Sequence, residues 1–461
     1  MKKLFLFAIT CFYLLSSCSS TGIQRRVAFV SKKATEATLN FSWWVEMDSD
    51  KKPTVAEAKE QVNEQVQHMF GPMERADRMA APKEDHLITL KASDIEKIGE
   101  GHWRIAYDYE GTIVLQNGPR NKYKFALPVD PDKIFQAAMS GSVNHCTDEH
   151  YQSEGDFWYF WAPKGWGKDE YPKCPLRSNE NGKIEADEDY EIVTGEIDRI
   201  KKARTTYPEY DRLAVKNVID VHFFYGMDEP SGAIDPYKSN DLNAESYKSV
   251  VRDLREMGFD IRRWNKDEID AIYPPASRNG KVFVEEAVKE YSGGLKVRAR
   301  LFFGQSGIDE KSVGFHHFYC DALRNASVMV YNGHSGLGGH LDLDAIADSV
   351  PGCNPSKKRY QVYFFNSCTS YTYYNASYLN RKRVKGKKKV DPSGTKNLDI
   401  MANGLSTAFD IMHDTDMSLV KAIDKYASGG TWISWQKLAR EIDSDNLFTV
   451  NGDEDNPTKP R

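Results

Sequence analysis

The sequence predicts an α/β protein: a mostly parallel sheet with helices on both faces, preceded by a smaller α+β domain. Three observations lead there. Beyond about residue 205, apolar runs alternate with helical stretches of about ten or more residues, the pattern of strands joined by crossover helices. Before that point, apolar runs are separated by Gly, Asn, Asp and Pro turn signals. Finally, 461 residues with 40% hydrophobic and 12% aromatic side chains supply ample core, which excludes a disordered or collagenous chain.

The chain opens MKKLFLFAITCFYLLSSCSS. Lys2 and Lys3 precede an apolar stretch over 4–15, the layout of a signal peptide, assigned to residues 1–17. Leu15-Ser16-Ser17-Cys18 resembles the lipobox of bacterial lipoproteins. The resemblance implies lipidation of the Cys18 thiol, a polar tether over 18–27, and anchoring of the chain to the cell envelope through acyl groups such as palmitate. Each buried CH₂ of such a chain contributes ~0.8 kcal/mol. Ser19, after the cysteine, resembles an outer-membrane sorting signal. No later apolar run approaches the ~18 residues of a membrane helix.

Residues 28–204 form the α+β N-terminal domain, whose role the sequence does not assign. Strands are expected at 38–45 (TLNFSWWV), 86–90, 103–115 and 123–129, with a helix at 55–70. The stretch 156–167, DFWYFWAPKGWG, holds six aromatic side chains. It reads either as a stacking platform for sugar or peptide or as a core strand with its flanking loop. Residues 178–210 are charged and read as a linker and a solvated helix, so the boundary falls near 205.

Residues 205–450 form the second domain. Strands are expected at 218–225, 259–264, 295–303, 326–331 and 361–365. Helices are expected at 244–257, 282–291, 311–324, 341–350, 398–412, 418–427 and 434–442. Residues 451–461 read as a frayed, disordered tail.

Charge nearly balances, 62 Lys+Arg against 67 Asp+Glu for a net −5, which argues against a nucleic-acid partner. Of seven cysteines, Cys11 leaves with the signal and Cys18 is lipidated. An odd number then remains in an oxidising compartment, which suggests a leftover thiol. Cys146 and Cys174 bracket the aromatic segment and could pair; Cys320 with Cys353 is a further possibility. Cys368 is the thiol expected to stay outside a disulfide.

In an open parallel sheet the carboxyl ends of the strands share one edge, where ligands bind. The first strand delivers Gly226, Met227, Asp228 and Glu229 to that edge. The strand at 326–331 delivers Asn332, Gly333, His334, Ser335 and Gly336, and the next delivers Asn366, Ser367 and Cys368. An imidazole beside a thiol is what a two-residue nucleophilic catalyst requires: the thiolate attacks, and the imidazole moves protons.

An apolar strand, NGHSG, and a second apolar strand ending in Ser-Cys 34 residues after the histidine resemble the clan of caspases, gingipains, clostripain and metacaspases. The match covers about 215–375, nearest the gingipain-like or clostripain-like branch. It implies a caspase-like fold and cysteine endopeptidase activity on a peptide or protein substrate, with no metal and no organic cofactor. His334 and Cys368 occupy the dyad positions, and the amides of Ser335 or Gly336 and of Cys368 occupy the oxyanion-binding positions. The family usually carries Gly directly after the histidine, where this chain has Ser335. Two residues before the cysteine stands Asn366, where members that cleave after basic residues carry Asp.

Asp228 and Glu229 could supply negative charge for a basic substrate side chain, or be solvated loop carboxylates. His340, Asp342 and Asp344 could form a metal site, although the two aspartates read better as favouring the start of a helix. His145 and His150 are a weaker metal candidate, and His316 and His317 read as core or boundary residues. The basic run 381–389 (RKRVKGKKK) reads as a processing loop, an anionic contact or a solvated loop. The rival to catalysis is a non-enzymatic surface lipoprotein that uses the scaffold and the aromatic patch for binding.

Overall fold

A computed structural model describes residues 29–139, 153, 156–159, 161, 190–200, 204–228, 232–274, 281–384, 391–444 and 446–461. The signal peptide, Cys18 and its tether, Cys146, Cys174, His145, His150, Glu229 and 385–389 of the basic run lie outside the described residues.

The first part of the chain runs β1 (Phe29–Val30), β2 (Ala34–Asp48), α1 (Val55–Gln67) and β3 (Ala80–Thr89). It continues through β4 (Ile95–Gly99), β5 (His102–Gln116), β6 (Lys122–Pro128), α2 (Pro131–Met139) and β7 (Tyr190–Arg199). Strands β3-β5-β2-β7-β6 form an antiparallel sheet, with β4 also on β5. Helix α1 starts at a capping box, Thr54 with Glu57, and buries Ala58, Val62 and Val66 against this sheet. The segment 178–210 was expected to be linker and helix, yet it contains β7, a strand between β2 and β6. Tyr190, Val193 and Ile197 are its buried side chains, and the charged residues between them mask that pattern in the sequence.

The second part begins with α3 (Tyr210–Leu213), β8 (Val218–Gly226), α4 (Leu242–Glu256), β9 (Asp260–Arg263) and α5 (Lys266–Ile272). It continues with β10 (Phe283–Glu290), β11 (Lys296–Gly304), α6 (Val313–Asn325), β12 (Val328–Asn332) and α7 (Leu343–Ser349). The remainder is β13 (Gln361–Asn366), α8 (Ser370–Lys382), β14 (Leu398–Ala402), α9 (Phe409–Gly429), α10 (Trp435–Ile442) and β15 (Thr449–Asn451). The large sheet runs β1-β15-β14-β13-β12-β8-β11-β10-β9. Its centre, β11-β8-β12-β13-β14, is parallel, and both margins are antiparallel. Alternate side chains of β8 enter two cores. Ile219, Val221, Phe223 and Tyr225 pack with α4, α9 and α10, while Phe224 packs with α6, α7 and α8. Helices therefore cover both faces, as expected of a buried parallel sheet. Among the described residues no helix is long and apolar enough to cross a membrane.

Two expected helices are strands. Residues 282–291 place apolar side chains at spacings that suit a helix, but they form β10, a hairpin with β11 through Ser292-Gly293-Gly294, in which Glu290 faces Lys296. The stretch 398–412 splits instead into β14, a break at Asn403-Gly404, and α9. Nor are residues 451–461 frayed. Asp453 and Asn456 are buried, Asn456 Nδ2 donates to Asp399 Oδ2 (2.5 Å), and Arg461 pairs with Glu209 (2.8 Å).

The two sheets are tied together on the α8 side. Phe29, Ala34, Phe70, Ala81 and Val114 share a core with α6–α8. Tyr371 OH on α8 donates to Glu36 Oε1 (2.8 Å), which also pairs with Lys83 Nζ (2.6 Å). Because β1 pairs with β15 in the large sheet, no single cut near 205 separates two bodies.

Candidate functional site

Strands β8, β12 and β13 are neighbours in parallel register. Asn332 at the end of β12 stands opposite Asn366 at the end of β13 and Tyr225 on β8. His334 and Cys368 thus each follow the same rung by two residues, and Asp228 leaves the neighbouring strand at the same edge. This edge is the carboxyl end of the sheet, at the reversal of strand order between β8 and β12.

The His334 side chain is half-exposed, and its Nε2 is hydrogen-bonded to Asp228 Oδ1. Tyr331 OH donates to the His334 carbonyl (2.8 Å), which anchors the backbone on the opposite side. Asp228, read from the sequence as a charge for a basic substrate side chain or a solvated loop carboxylate, sits on the imidazole. The turn after His334 is tight. Gly336 has φ +54°, and a Cβ there would lie 2.2 Å from His340 Cδ2, so only glycine fits. The Ser335 carbonyl accepts from Tyr374 OH of α8 (2.9 Å).

Among the described cysteines, Cys320 and Cys353 form a disulfide, and Cys368 stands outside it, partly exposed. Cys368 Sγ lies 3.7 Å from the Thr407 carbonyl oxygen. Thr369 follows with φ 49° and ψ 29°, a left-handed conformation uncommon for a β-branched residue, and α8 starts immediately after it. This sharp strand-to-helix turn puts the thiol just ahead of a helix amino end, where negative charge is favoured.

Beneath the rim lies a buried polar network absent from the sequence reading. Asp416 of α9 accepts from Asn332 Nδ2 (2.7 Å), Tyr225 OH (3.1 Å) and Asn366 Nδ2 (3.2 Å). Asn366 also donates to Asn332 Oδ1 (2.9 Å) and Thr415 Oγ1 (2.8 Å). Burial pushes the Asp416 carboxyl up to about 7, against the opposing pull of its hydrogen bonds. Asn366, a specificity candidate by position, is thus committed to holding strand ends together. The visible signal for this network was Asn332 and Asn366, the last residues of β12 and β13, at one level with Tyr225, the last but one of β8.

His340 packs against the turn after His334, and the remaining candidates lie elsewhere. Burial lowers the His340 imidazole to about 4; Asp342 caps α7, accepting from Asp344 N (2.9 Å) and Ala345 N (2.7 Å). Among the described residues no group of three or more His, Cys, Asp or Glu is arranged to hold a metal. His316 is buried with Nε2 2.6 Å from the Gly307 carbonyl, and burial lowers its affinity for a proton. Phe157, Tyr159 and Trp161 of the aromatic segment are buried, which makes that described part core. Lys382, at the start of the basic run, is buried too. Its Nζ lies 2.7–3.1 Å from the carbonyl oxygens of Ser356, Arg359 and Asn397 and from Gln361 Oε1, four acceptors sharing its N–H donors, and burial pushes its proton affinity well down.

Compared with known proteins, the chain matches no family model and no curated sequence.

Proposed function

We propose that this chain is a cysteine endopeptidase of caspase-like fold, held on the bacterial envelope by a lipid on Cys18. The observation that carries the reading is the shared rung of β12 and β13, which delivers His334 and Cys368 to one edge, with Asp228 bonded to the imidazole. The strand order β11-β8-β12-β13, with the histidine after the third parallel strand in the chain and the cysteine after the fourth, supports the same assignment.

In this reading Cys368 Sγ, as thiolate, attacks the scissile carbonyl carbon. A tetrahedral oxyanion forms and accepts hydrogen bonds from backbone amides at Ser335, Gly336 and Cys368. His334, held through Nε2 by Asp228, gives its proton to the departing amine, and the C–N bond breaks to leave a thioester on Cys368. Water, deprotonated by His334, then cleaves the thioester.

A peptide-library digest with the mature protein tests the reading. Cleavage is expected from the wild type and none from Cys368→Ala, with His334→Ala slower by about 10²–10⁴-fold. Cleavage that persists in Cys368→Ala would sink it. So would sluggish labelling of Cys368 by an electrophilic probe at neutral pH that His334→Ala leaves unchanged.

A further inference from the structure

We propose that Glu74, from the N-terminal part of the chain, is a positioning residue for the Cys368 thiol; this rests on the peptidase reading above. Glu74 lies in a π-helical turn, Gly71–Ala76, between α1 and β3, and is fully buried. Its Oε1 accepts from Ser406 N (3.0 Å), Ser406 Oγ (3.1 Å) and Thr369 Oγ1 (3.3 Å). These donors belong to the two segments that flank the thiol. Thr369 directly follows Cys368, and Ser406 directly precedes Thr407, whose carbonyl oxygen touches Cys368 Sγ. The Thr369 amide also donates to Leu405 O (3.2 Å), so one carboxylate oxygen closes a clasp around the nucleophile turn.

The clasp has a physical task. A β-branched residue at positive φ persists only where its surroundings hold it there. Thr369 has that conformation, and Glu74 holds its side chain from 295 positions earlier in the chain. Further ties join the two parts: Glu36 links β2 to α8 through Tyr371, and β1 pairs with β15. The N-terminal sheet is therefore a working part of the site rather than a detachable cover or spacer. A role follows for a region to which the sequence assigned none: it sets where the sulfur sits relative to His334.

The test is the iodoacetamide labelling rate of Cys368 in the full mature chain, located by peptide mass, with circular dichroism as the folding control. Glu74→Ala is expected to label about tenfold more slowly, since small misplacements of a reacting group cost up to about a hundredfold. Glu74→Gln keeps a carbonyl oxygen for the same donors and should recover to within about threefold of wild type. A merely structural role predicts no such recovery. Thr369→Val combined with Ser406→Ala leaves Glu74 in place but removes two donors, and should slow labelling about threefold; it decides the matter if Glu74→Ala does not fold. Wild-type rates in folded Glu74→Ala, or in the double variant, overturn the proposal, as do equal losses in Glu74→Ala and Glu74→Gln. If His334→Ala leaves labelling unchanged, the peptidase reading falls and this role with it. If His334→Ala slows labelling while the Glu74 series is flat, only the positioning role falls.

Discussion

Asp416→Asn takes a titrating carboxyl out of the network beneath the rim, and its effect on stability can be worked from the structure. Burial raises that carboxyl from an ordinary 3.8 to about 7. The folded chain therefore binds the proton more tightly than the unfolded chain. The stabilisation this gives is whole below about pH 4 and is lost as pH rises through 7. At about 1.36 kcal/mol per tenfold difference in proton affinity, the full loss is about 4 kcal/mol, of which about 3 kcal/mol falls between pH 5 and pH 9. Asp453, also pushed up to about 7 by burial, titrates over the same range, so the informative quantity is the difference between wild type and variant. Asparagine would turn an N–H toward one of the three donors now facing the carboxyl, a pH-independent cost of about 1–3 kcal/mol. Urea midpoints at pH 5, 7 and 9 measure both effects. The wild type should lose about 3 kcal/mol more than Asp416→Asn across that range. Parallel pH profiles for the two proteins would refute the assignment of a buried, destabilising charge to Asp416.

Other perturbations test separate parts of the molecule. Lys382→Met removes a donor shared by four oxygens; Asn397 O keeps the Gln361 amide and Gln361 Oε1 keeps Tyr363 OH, so the carbonyls of Ser356 and Arg359 are orphaned and stability in thermal melts should fall by about 2–6 kcal/mol, at about 1–3 kcal/mol for each. Replacing Cys320 and Cys353 together by serine should cost about 2–4 kcal/mol of stability in urea while leaving the labelling rate of Cys368 unchanged, because the bridge joins α6 to the loop after α7, away from the rim. Asp228→Asn leaves His334 Nε2 without a carboxylate partner and should slow peptide cleavage by about 10²–10⁴-fold with an unchanged melting temperature. Gly336→Ala drives a methyl into His340 and should slow cleavage and lower the melting temperature together.

Much of the candidate site could be read along the chain because its parts are local. An apolar run followed by Gly-His, or by Ser-Cys, announces a strand that stops at an imidazole or a thiol, and both β12 and β13 lie where their apolar runs were expected. Misreadings cluster where local pattern and long-range pairing disagree. In β10, Phe283, Val284, Ala287 and Val288 satisfy a helical spacing, yet the strand is chosen because β11 and β9 cover its two edges. In β14, a five-residue apolar segment beside a helical one looked continuous until β13 and β15 claimed it. β7 hid its buried side chains among charges, and only β2 and β6 on either side make it a strand.

The amino-acid order alone determined which residues reach the carboxyl edge of the sheet, since hydrophobic runs and their terminating residues are short-range properties of the chain. It also pointed to Cys368 as the thiol outside a disulfide, while the pairing of Cys320 with Cys353 was one possibility until the fold brought them together. Folding in three dimensions decided what surrounds those residues: Asp228 on the imidazole, Asp416 under three strand ends, Glu74 around the turn that carries the thiol. Hydrogen bonds of that kind join positions separated by 50 to 295 residues, and no periodicity in a sequence encodes a partner at such a distance.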